Sequence, residues 1–91
     1  MIYLAFIHKE PKTDYWVSFP DLPGCFSSGE TVEEAKENAK DATKLYMESL
    51  EKQGLKVPKP RSDEEILKTE ELPPQGYIIH HVYVETEDDY S

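Results

Sequence analysis

The chain lacks any apolar run approaching the ~20 residues a membrane-crossing helix requires. The apolar start, Met1-Ile2-Tyr3-Leu4-Ala5-Phe6-Ile7, has neither a basic leader nor a small-residue cleavage site, and its length suits a strand better than a signal peptide. Cysteine is nearly absent. The single Cys25 excludes an internal disulfide and fits a reducing cytoplasm. Positive charge is scarce as well: 10 basic residues face 19 acidic ones, for a net charge of −9. That balance argues against a nucleic-acid surface and for a soluble, non-membrane protein with basic partners. There is no internal repeat, no CxxC and no HxH spacing.

Chemistry is correspondingly hard to assemble. His80 and His81 are adjacent in a strand-like segment, so they should point to opposite faces and not share a metal. His8, one of these and Cys25 would make a zinc site only with unusual spacing. Cys25 falls in a short strand without an assigned base, which disfavours a nucleophile. Asp14, Asp21 and Glu30 are loop acids that could gather at one sheet edge, as a two-metal nuclease would need. The expectation is therefore no catalytic residues, no metal and no cofactor.

What is present is a single domain over residues 1–86, followed by an acidic tail over 87–91. Ile2 to His8 reads as a first strand, with Ile2, Leu4 and Phe6 on one side and Tyr3, Ala5 and Ile7 on the other. A polar turn at residues 10–14 leads into a second strand, Tyr15 to Phe19, as an antiparallel hairpin. Pro20 stops that strand, because proline has no amide hydrogen for the ladder. Pro23 and Gly24 predict a tight turn of type II over Asp21-Leu22-Pro23-Gly24. Cys25 to Ser28 is a short third strand. Thr31 and Glu34 form a capping box, with Glu33 and Glu34 at the positive end of the helix dipole. The helix runs from Val32 to about Gln53, with Gly54 as its stop.

The stripe Val32, Ala35, Ala39, Ala42, Tyr46 and Leu50 is the inner face of that helix, and its alanines let it lie close to a sheet. Val57-Pro58-Lys59-Pro60 is an extended linker. Ser62 to Glu65 is a second capping box opening a short helix through about Lys68, and Tyr77 to Glu85 is the last strand. The order β-β-β-α-(short α)-β gives an α+β fold with one long helix on one face. A right-handed crossover places the last strand beside the first and parallel to it.

One long helix covers one face, yet the first strand is apolar on both. The open face is expected to carry Tyr3, Ala5, Ile7 and Trp16, and a contiguous apolar patch marks an interaction surface. These four residues are the candidate oligomer interface of a dimer or larger species.

The stretch Phe19-Pro20-Asp21-Leu22-Pro23-Gly24-Cys25, followed by Gly29-Glu30-Thr31-Val32-Glu33-Glu34-Ala35, resembles the signature of the HicB antitoxin family. The likeness covers residues 3 to about 85 and extends to Tyr15, Val17, Asn38 and Ala39. It implies a truncated ribonuclease H-like fold without nuclease activity. It also implies a toxin-antitoxin role: binding and silencing HicA, a small basic ribonuclease that cleaves mRNA. Many family members add a C-terminal DNA-binding segment. The chain ends at Ser91, a few residues past the last strand, so no direct operator binding by this chain is expected. Candidate partner contacts are Asp21, Leu22, Pro23, Gly24, Glu30 and Glu85, although turn chemistry explains the Pro and Gly equally well. The alternative function is a solitary HicB-like domain acting as a small metal-dependent hydrolase or an orphan regulator.

Overall fold

A computed structural model describes residues 1–84. The first strand, β1, is Ile2–Lys9; β2 is Tyr15–Ser18 and β3 is Phe26–Gly29. The helix α1 spans Val32–Lys52, a short helix α2 spans Asp63–Thr69, and β4 is Ile78–Tyr83. The strands form one sheet in the order β3-β2-β1-β4, and every neighbouring pair is antiparallel.

The position of β4 beside β1 agrees with the sequence, but its direction does not. β4 runs antiparallel to β1, with Ile2 opposite Tyr83 and Ile7 opposite Ile78. The crossover rule fixes the hand of a connection between parallel strands and does not itself make two strands parallel. Here the chain changes sides: α1 packs on one face, and α2 places Ile66 against Leu4 and Phe6 on the other. It therefore enters β4 from the end at which β1 finishes.

The α1 face holds the main core. Tyr3, Ala5 and Ile7 of β1, Val17 of β2 and Val82 of β4 pack with Ala35, Ala39 and Met47 of α1. The Tyr3 hydroxyl donates to the Pro58 carbonyl, which ties the extended linker to this core. Tyr3, Ala5 and Ile7 are thus shut beneath the helix, not displayed on the open face. The register explains the difference: His8 lies opposite Trp16, so Trp16 shares a face with the even-numbered residues of β1. A strand apolar at every position from Ile2 to Ile7 carries no internal signal of which side turns inward.

The stripe of α1 is nearly as read. Ala35 and Ala39 are fully buried, and Val32, Ala42, Tyr46 and Leu50 are half-buried against the core. Its centre is shifted by one residue, because Thr43 and Met47 also turn inward. Thr43 tolerates burial by donating its hydroxyl to the Ala39 carbonyl at 2.7 Å. Because Ala39 is fully buried in the core beneath α1, A39L should overpack the helix–sheet contact by about 1–3 kcal/mol. Chemical denaturation checks this, and an unchanged midpoint would contradict the close approach of α1.

Candidate partner-binding surface

The signature segment is held from several sides. Leu22 N–H donates to the Phe19 carbonyl at 3.2 Å, and Cys25 N–H donates to the Leu22 carbonyl at 3.0 Å. These bonds close two consecutive turns. The second is Leu22-Pro23-Gly24-Cys25, with proline in its second position and Gly24 at φ +83° in its third. That is type II geometry, one residue later than Asp21–Gly24. The Tyr46 hydroxyl of α1 donates to the Pro23 carbonyl at 2.9 Å, fixing the turn to the helix.

Within the turn the two acid-side residues face inward. Leu22 is fully buried in the core. The Asp21 carboxylate accepts the Arg61 main-chain N–H at 2.7 Å and the Arg61 Nε at 2.6 Å. Arg61 also donates to Glu70 at 2.9 Å and to the Thr69 hydroxyl at 3.1 Å. This acid pair raises the guanidinium pKa further, with the Asp21 hydrogen bond the larger cause. Asp21 is therefore the clasp that holds the linker and both ends of α2 to the β2–β3 turn. Asp21 and Leu22 are correspondingly removed from the exposed candidate contacts. Pro23, Gly24 and Glu30 are exposed, and Glu85 lies outside the described residues.

Beside the turn, Thr31 caps α1 by accepting Glu34 N–H at 3.1 Å. Asn38 donates its amide to the Ser28 carbonyl at 2.8 Å, lashing α1 to β3. The second cap repeats the pattern, with Ser62 accepting Glu65 N–H at 3.2 Å.

The face away from α1 is the larger exposed apolar surface. Ile2, Trp16, Phe26, Ile79 and Tyr83 all lie on it, and Tyr83 is 61% exposed. Only its centre is covered, by Ile66 of α2 over Leu4 and Phe6. Phe6 meets Tyr77 edge-to-face at 5.0 Å. Around α2 the sequence is acid-rich, with Asp63, Glu64, Glu65, Glu70 and Glu71 against Arg61 and Lys68. A shallow cleft lined by Phe6, Ser18, Phe19, Pro20, Glu70, Glu71 and Pro73 joins the apolar floor to this rim. Exposed apolar residues beside a charged border are the anatomy of a protein-docking surface. Sequence reasoning expected an open apolar face bearing Trp16, but it assigned Tyr3, Ala5 and Ile7 to that face because neither the phase of β1 nor the seat of α2 could be read without the register.

The titratable groups are dispersed. His81 faces α2, where its Nε2 lies 2.7 Å from an Asp63 oxygen, whereas His80 belongs to the opposite face. Burial lowers the His80 pKa, assisted by Lys36 and then His81. Burial pushes the Cys25 thiol up, partly offset by the neighbouring Thr43 side chain. Among the described residues no three His, Cys, Asp or Glu side chains converge as metal ligands would. No described helix is long and apolar enough to cross a membrane.

Residues 3–89 match the model of a HicB-like antitoxin of bacterial toxin-antitoxin systems. The chain belongs to this family. Among curated relatives, a UPF0150 protein of Thermoplasma acidophilum is 42% identical over 64 residues, which cover 70% of this chain and 93% of that protein. An uncharacterised 14.9 kDa protein of Haemophilus phage HP1 is 38% identical over 85 residues, covering 93% of this chain and 62% of the phage protein. The fold is similar to a chain of the HicA3–HicB3 toxin-antitoxin complex, with TM-score 0.76, 30% identity and 94% of this chain and 100% of that chain covered. It is equally similar to the HicB antitoxin of Burkholderia pseudomallei, at TM-score 0.76 and 31% identity over 93% of this chain. The chain spans 64% of that antitoxin's length. The HicB-like antitoxins thus share the four-stranded antiparallel sheet and long helix described above.

Proposed function

We propose that this chain is an antitoxin that binds and neutralises a small, basic, mRNA-cleaving toxin of the HicA type, and does so by contact alone. The observation that carries the reading is the open sheet face: exposed apolar residues Trp16, Phe26 and Ile79 beside the acids of α2. A basic ribonuclease is complementary to such a rim, and the net charge of −9 would speed their encounter. The structural kinship with a chain of a HicA3–HicB3 complex supports the same partner class. Pro23, Gly24 and Glu30 are secondary contact candidates at the far side of the signature turn. No catalytic step and no direct DNA contact are assigned to this chain, since an excess of acids repels phosphate.

Co-expression with a small basic open reading frame, sought beside the gene, tests the proposal. Growth arrested by that frame alone should be restored, and the two chains should co-purify. Association should slow as ionic strength rises. Restored growth without a complex, or RNA cleavage by this chain alone, would contradict it.

A further inference from the structure

The cleft on the open face is built by two segments far apart in the chain. Phe19 and Pro20, at the start of the signature turn, form one side, and Glu70, Glu71 and Pro73 beyond α2 form the other. Phe6 and Ser18 of the sheet line its base, and the cavity measures about 260 Å³. The clasp ties the two sides together, with Arg61 Nε 2.6 Å from Asp21 and Nη2 2.9 Å from Glu70. The cleft therefore stands ready before any partner arrives.

Three observations specify what it would accept. The first is charge. One guanidinium between two carboxylates leaves the clasp net negative, and Glu71 adds a further negative charge. Glu71 is exposed, and among the described residues no cation pairs with it. The second is the polarity of the walls. Pro20 and Pro73 are half-buried, so apolar surface stands directly beside these carboxylates. A long side chain with an aliphatic stem and a cationic head satisfies both at once. The third concerns the source of that side chain. Arg61 is the sole arginine of the sequence, and its guanidinium is already engaged by Asp21, Thr69 and Glu70. A second copy of this chain could supply a guanidinium only by opening its own clasp.

We propose that the cleft receives an arginine side chain of the basic toxin, which deepens the antitoxin reading and rests on it for the partner's identity. The stem lies against Pro20 and Pro73, and the guanidinium spans Glu71 and Glu70. Arginine suits the cleft better than lysine, because its planar fork pairs with carboxylates through two hydrogen bonds and is weakly hydrated. Asp21 contributes without contact, as a positioning residue. It neutralises Arg61, which would otherwise repel the arriving cation.

Two measurements on the full chain test this. Titration with N-acetyl-arginine methylamide, followed by amide NMR, should perturb Ser18, Phe19, Glu70 and Glu71 selectively. The lysine analogue should perturb them less, and the uncharged citrulline analogue not at all. E71Q, shown to be folded by far-UV circular dichroism, should abolish the response. Against the purified toxin, E71K should raise the dissociation constant roughly tenfold or more. E37K makes the same charge change at an exposed position of α1 and should raise it far less. A silent arginine titration, or equal losses in E71K and E37K, would overturn the proposal. An equal response to the lysine analogue would overturn the preference for a guanidinium. Toxin bound as tightly by E71K as by the wild type would overturn the cleft as a contact, while the antitoxin reading stands. An arginine response without any toxin binding would support the arginine site and overturn the toxin as its source.

Discussion

L22A should lower stability by about 2–5 kcal/mol, the usual range for removing a large aliphatic side chain from a core. Leu22 is fully buried among Val17, Phe19, Cys25 and the α1 residues, although it sits in a turn between two prolines. Truncation would leave a void under a loop whose two closing hydrogen bonds both involve Leu22 main-chain atoms. For a domain of this length such a loss consumes much of the total stability. Thermal and denaturant melts should both report it. P23A, at an exposed position, should change stability far less while remaining free to affect toxin binding. An L22A variant with wild-type stability and impaired binding would make Leu22 a contact residue and contradict its place in the core.

G29A is the second severe substitution. A Cβ on Gly29 would lie 2.4 Å from the Ala35 nitrogen and 2.8 Å from its Cα. The neighbour is helix backbone, which cannot swing aside as a flexible side chain can. The start of α1 must therefore lift from β3, straining the Thr31 cap and the Asn38–Ser28 hydrogen bond. A cost of about 3 kcal/mol or more is expected, at the upper end for overpacking. Gly24 provides the contrast. Open space surrounds it, but its φ of +83° disfavours a side chain, so G24A should cost only about 1–2 kcal/mol. Equal effects of G24A and G29A would show that the close approach of β3 to α1 is not what demands glycine.

Much of this architecture was legible because it is written in short-range chemistry. Thr31 and Ser62 each announce a helix start, and Gly54, at φ +69°, marks the end of α1. Pro23-Gly24 announces a type II turn, and only its placement moved by one residue. The long-range facts were not legible. Nothing in β1 distinguishes Tyr3 from Leu4, so the covered face followed only from the pairing of His8 with Trp16. The reversal of β4 depends on α2 seating Ile66 on the second face, which two apolar residues in a short acidic helix do not advertise. The role of Asp21 rests on Arg61, forty residues away, so a loop acid that reads as a surface contact is a structural clasp.

The most direct measurement is a titration of RNA cleavage by the purified basic toxin with this chain. Cleavage should fall to background at stoichiometric antitoxin, with no RNA degraded by the antitoxin itself, and inhibition should weaken as salt rises. Undiminished cleavage at a large excess of folded chain would contradict the account.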